Sequence, residues 1–156
     1  MFPTVLEKLF SREETRPDYI ALDLKMAPER YANLANSSHG GTSNREPELR
    51  RSAARGEEPG KNLIKSAALI RSSGIDHEYR TLALPGDYIN NEDIEALAPL
   101  ADNGPWYFRP FVGGNCLDPA WDTLEEPATE AHARLEALVL KAREMGKMGK
   151  AMGIRV

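Results

Sequence analysis

The sequence predicts an α/β fold with parallel strands, and three observations carry that prediction. Helical and extended patterns alternate along the chain in the order helix, strand, helix, strand, helix, strand, helix. The strand-like runs are short, apolar and bounded by Pro or Gly, at Pro17, Pro85-Gly86 and Gly113-Gly114. The third observation is the stretch 18–25, Asp-Tyr-Ile-Ala-Leu-Asp-Leu-Lys. Side chains alternate along a strand, so Ile20, Leu22 and Leu24 share one side, and Tyr19, Ala21, Asp23 and Lys25 the other. An acid and a base two residues apart at a strand's exit are how a barrel or doubly wound sheet presents a site. Such an order implies right-handed crossovers. Three or four strands make a poor closed unit, because a parallel sheet wants cover on both faces. The chain reads as part of a larger barrel.

Taken in order, residues 2–10 fit a short amphipathic helix, with Phe2, Val5, Leu6, Leu9 and Phe10 at helical spacing and Pro3 in the first turn. A charged connection, 11–17, leads to the strand 18–25. Pro28 then opens a helical turn or two through Leu34. Residues 36–60 change character, being dense in Ser, Gly, Asn, Arg and Glu with Leu49 as the only large aliphatic residue. That segment cannot bury enough to offset its ordering entropy and is expected to be a flexible insertion. Its arginines, Arg45, Arg50, Arg51 and Arg55, alternate with glutamates and read as a solvated surface.

Residues 61–73 form a helix with Leu63, Ile64, Ala67, Ala68 and Ile70 on its apolar face and Gly74 as its cap. Residues 75–84 are the second strand, and Arg80 within it must pair, reach the site or lie at an edge. A helix over 90–102 follows, capped by Asn90 or Asn91, with Ile94, Leu97 and Leu100 buried. Residues 106–112 are the third strand. Pro127 starts the last helix, with Ala131, Leu135, Leu138, Val139 and Ala142 as its stripe. Residues 154–156 are expected to add a terminal strand.

Composition sets the bounds. With 156 residues the chain is long enough for one domain with a substantial core. A net charge of −4 and 41% hydrophobic residues suit a soluble cytoplasmic protein, and without a basic excess nucleic acid is not an expected partner. No apolar run approaches the roughly 20 residues of a membrane span, and no signal peptide is evident. Cys116 is the single cysteine, so no internal disulfide can form. His39, His77 and His132 are scattered, which argues against a histidine metal site.

The polar groups near strand ends are Asp23, Lys25, Arg80, Arg109 and Asn115. A site for a small zwitterionic or anionic ligand and a set of internal ion pairs both fit that pattern.

The stretch 18–25 resembles the fourth barrel strand of radical SAM activating enzymes. The likeness is to the anaerobic ribonucleotide reductase and pyruvate formate-lyase activating proteins. Ala27-Pro-Glu-Arg-Tyr31, the run 74–86 (Gly-Ile-Asp-His-Glu-Tyr-Arg-Thr-Leu-Ala-Leu-Pro-Gly), and Phe108-Arg-Pro-Phe111 leading to Leu117-Asp-Pro119 continue it. The resemblance implies the C-terminal half of a partial (β/α)6 barrel spanning residues 1–156, with 36–60 as an insertion. In that family a 4Fe–4S cluster on three cysteines binds S-adenosylmethionine. Its cleavage gives a 5′-deoxyadenosyl radical that takes a hydrogen atom from a glycine of a partner glycyl radical enzyme. By resemblance, Asp23 and Lys25 contact the ribose and methionine part of S-adenosylmethionine, and Arg80 pairs with it from the fifth strand.

This chain departs from the family in one large respect. The Cys-x3-Cys-x2-Cys motif and the first three strands are absent, and the chain begins about where the family's third helix begins. Cys116 alone cannot hold the cluster. The expectation is therefore an activase fragment, inactive alone, that awaits an N-terminal half. A non-catalytic interaction module derived from the same fold is the alternative.

Overall fold

A computed structural model of the chain describes residues 2–31, 59–114, 116, 121–123 and 126–151. The expected insertion at 36–60, apart from Pro59 and Gly60, lies outside the described residues, as do Leu34, Asn115 and the expected strand at 154–156. The chain divides into two compact units, Met1–Ile20 with Met26–Asp76 and Ala21–Lys25 with His77–Val156.

In the first unit, helix α1 (Pro3–Phe10) packs against helix α2 (Pro59–Ser73). Pro3 suits the first turn because its missing N–H would have no helical partner there. Leu6 and Phe10 are half-buried, whereas Phe2, Val5 and Leu9 face solvent. A single 3-10 turn (Glu13–Thr15) follows, and Arg16 donates to the Ser73 carbonyl at 2.6 Å, tying the connection to the end of α2. In α2 the buried stripe is Gly60, Leu63, Ser66, Ala67 and Ile70. Ile64 and Ala68, expected on that face, are exposed, because a stripe through 63, 67 and 70 leaves them about 100° around the helix. Gly60 has a specific role. A Cβ there would stand 2.1 Å from the Pro28 carbonyl oxygen, so only glycine lets α2 approach the Pro28–Arg30 turn. Gly74, with φ of 69°, then ends the helix.

The sheet, most of whose residues belong to the second unit, has strands β1 (Tyr19–Asp23), β2 (Asp76–Ala83), β3 (Pro105–Pro110) and β4 (Met148–Ala151), in that spatial order and all parallel. The α/β class and the parallel strands are as expected; the sheet is open, and among the described residues β1 and β4 are its edges. Tyr79 pairs with Trp106 and Thr81 with Phe108, and Tyr107 pairs with Lys150. One face of the sheet is the core. Leu22, Leu24, Tyr79, Ala83, Trp106 and Phe108 are buried on it, with Thr81 among them. Thr81 earns its burial through two hydrogen bonds. Its hydroxyl donates to the Leu24 carbonyl (2.6 Å) and accepts from Trp106 Nε1 (2.9 Å), so one side chain stitches three strands.

Helix α3 (Asn91–Leu97) and helix α4 (Ala128–Glu144) pack on each other, and α4 packs on β3 and β4. Asn90 caps α3: the Asp93 amide donates to its side chain, and its own amide donates to the Asp93 carboxylate. The helix ends at Leu97, short of the expected 102, where the Leu100 amide already turns back to the Leu97 carbonyl. In α4 the buried residues are Leu135, Leu138, Val139 and Ala142, the expected stripe without Ala131. Lys141 on α4 meets Glu95 on α3 at 2.5 Å, and that hydrogen bond holds the lysine pKa above its usual value.

A strand that the sequence did not predict follows α4. Gly146, at φ 73°, stops α4, and Met148–Ala151 turns back as β4. Gly149 makes this possible, since a Cβ there would lie 3.1 Å from the Val139 carbonyl oxygen and 3.2 Å from Ala142 Cβ. Among the described residues no helix is long and apolar enough to cross a membrane.

Candidate functional site: the exposed face of the sheet

Alternation decides where the candidate residues stand. Leu22 and Leu24 are buried, so Asp23 and Lys25 point to the opposite face at the exit of β1, and both are exposed. Tyr79 and Thr81 are buried, so Arg80 faces the same way, as does Arg109 beside buried Phe108. The four expected residues are brought to one face of the sheet, the face opposite α4. The fifth, Asn115, lies outside the described residues.

Register adds two residues that sequence reasoning did not find. Arg80 pairs with Tyr107 and Tyr107 with Lys150. The Leu24 amide donates to the Arg80 carbonyl at 2.7 Å, which fixes β1 against β2 beside Asp23. A row therefore crosses the sheet from Asp23 through Arg80 and Tyr107 to Lys150, with neighbouring strands about 4.8 Å apart. Lys150 Nζ lies 5.8 Å from the centre of the Tyr107 ring, within cation–π range. Arg80 is paired and is not at an edge. Its Nε donates to the Glu78 carboxylate two residues earlier on the same strand, and β2 is an inner strand.

In a parallel sheet the C-terminal ends of all strands lie along one border, and the loops that leave them are placed to complete a site. After β3, the Asp122 carboxylate accepts from the Gly114 amide (2.8 Å) and the Cys116 amide (2.9 Å). Trp121 packs against Tyr88 of the loop after β2 and Phe111 after β3, with ring centres 4.7 and 5.7 Å away. Arg134 of α4 holds the Glu126 carboxylate with two guanidinium nitrogens and reaches the Ala83 carbonyl at the end of β2. The Arg134 hydrogen bonds hold the Glu126 carboxyl below its ordinary pKa. None of these partners is close in sequence, and an eight-residue spacing between Glu126 and Arg134 matches no local rule.

A second polar cluster lies away from that border. His77, near the start of β2, meets both oxygens of Asp102 at 3.2 Å, and the Gly104 amide donates to the same carboxylate at 2.7 Å. Burial pushes the Asp102 pKa up, and the Gly104 and His77 bonds more than offset it, leaving the carboxyl below its usual value. The cluster ties the entry of β2 to the turn that precedes β3. His132 stands on α4 beside Glu136 at 3.0 Å, and His39 lies outside the described residues.

No family model, curated protein or solved structure matches this chain.

The residues present can be weighed against the two groups that the activase resemblance implies. Asp23, Lys25 and Arg80 offer an acid, an ammonium and a guanidinium on neighbouring strands, a donor set that suits a zwitterion carrying a sulfonium. A 4Fe–4S cluster does not fit this chain by itself. Cys116 is its single thiol, and among the described residues no three His, Cys, Asp or Glu side chains gather.

Proposed function

We propose that this chain is the C-terminal half of a radical SAM activating enzyme, a segment of a partial (β/α)6 barrel with β1, β2 and β3 as its fourth, fifth and sixth strands. The reading is supported by one observation above the others: Asp23, Lys25 and Arg80 stand on one exposed face of adjacent parallel strands, at or near the border where barrel enzymes bind ligands. In a complete activase a reduced cluster, held outside the residues of this chain, would supply the electron that cleaves S-adenosylmethionine. The residues here bind and orient that ligand, Asp23 and Lys25 at the ribose and methionine and Arg80 beside them. The partner is a glycyl radical enzyme such as an anaerobic ribonucleotide reductase.

The DNA upstream of the Met1 codon is the first test. A stretch that encodes Cys-x3-Cys-x2-Cys and three further strands supports the reading; unrelated sequence there overturns it. Calorimetric titration of S-adenosylmethionine is the second. This chain alone binds weakly or not at all, because half the pocket is missing. The two halves together, reconstituted anaerobically with iron and sulfide, bind it at least tenfold more tightly, and Asp23→Ala or Arg80→Ala removes that gain.

A further inference from the structure

The face that bears Arg80 and Tyr107 is exposed at its apolar residues as well as its charged ones: Leu82 is 40% exposed and Met148 49%. Parallel sheets are stable when both faces are covered, and α4 covers only the other one. What covers this face must also answer its charge. Arg80 is held by Glu78, but Arg109 and Lys150 have no carboxylate partner among the described residues. Enclosing two unmatched cations under an apolar surface carries a desolvation cost that nothing repays. We propose that this face docks a polypeptide whose contacting surface carries carboxylates, received by Arg109 and Lys150 on either side of Tyr107, with Leu82 and Met148 as the apolar contacts.

Charge favours a polypeptide over a nucleic acid. The chain carries a net −4 and Asp23 and Glu78 share the face, whereas a nucleic-acid footprint is a basic excess over a broad surface, and two cations beside two acids are matched by a few carboxylates. Arg109 presents a planar fork that matches a carboxylate with two hydrogen bonds. Lys150, in line with Tyr107 one strand away, supplies a second point charge. The proposal does not depend on S-adenosylmethionine, and its experiment contains none, so the two readings fail separately.

The test uses the whole chain and a fluorescein-labelled 12-residue peptide of alternating Glu and Thr, which in extended form lines its carboxylates along one side. Anisotropy titration is expected to show saturable binding that weakens with added salt. The double variant Arg109→Gln/Lys150→Gln, both at exposed positions, loses at least tenfold in affinity while keeping the parent's far-ultraviolet circular dichroism and melting midpoint. Glu136→Gln on the far side of α4 leaves binding unchanged. Absence of binding, equal binding by the double variant, or tighter binding of a 12-nucleotide oligothymidylate each overturns the proposal.

Discussion

Thr81 shows how much one side chain can hold. It lies within an otherwise apolar layer and is 2% exposed, with its hydroxyl shared between Leu24 just past β1 and Trp106 on β3. Thr81→Val keeps the shape and strands the indole N–H, a loss of about 2 kcal/mol. Thr81→Ser should recover most of it, and urea denaturation of the three proteins measures both. Ser66 is the opposite case. Its hydroxyl is buried in α2 with no hydrogen-bond partner among the described residues, so Ser66→Ala should raise stability by about 1 kcal/mol, helped by alanine's helix propensity. Asp102 brings a pH dependence. Its folded pKa lies below its ordinary 3.8, so the unfolded chain takes up the proton first as pH falls. Its contribution is complete above pH 3.8 and is lost as pH falls through the lower folded value. Asp102→Ala should cost about 1 kcal/mol at pH 7, allowing for its partial exposure, and the gap to the parent should close in strong acid.

At the level of elements, what the sequence disclosed depended on whether the cause was local. The β1 alternation, the Asn90 cap and the α4 stripe are written in neighbouring residues, and all three are found. Strand β4 was not legible because its cause is distant. Gly149 is there because any Cβ at that position would stand 3.1–3.2 Å from atoms of α4. The candidate face divides in the same way. Asp23, Lys25, Arg80 and Arg109 could be placed from strand parity, but Tyr107 and Lys150 join them only through register, which no single strand encodes. Gly60 offers the sharpest element-level test. Gly60→Ala drives a methyl into the Pro28 carbonyl and should cost about 3 kcal/mol, while Gly74, with nothing within 4 Å, is constrained by its positive φ alone.

For the whole molecule, the feature with the widest consequence is that the strands stand in the sheet in chain order. Each strand then meets only the strands before and after it, so assembly never needs a late segment to thread between two early ones. The contacts differ in how long a loop they close. Thr81 and Trp106 are 25 residues apart, whereas Thr81 and Leu24 are 57 apart. Closing the longer loop costs about 0.7 kcal/mol more in chain entropy. The β2–α3–β3 unit is therefore the natural nucleus, with β1 joining afterwards. Folding kinetics should register this order. Phe108→Leu slows refolding, while Leu22→Ala acts mainly on the unfolding rate. A chain built this way grows by addition at its borders, and its earliest folded form is its middle.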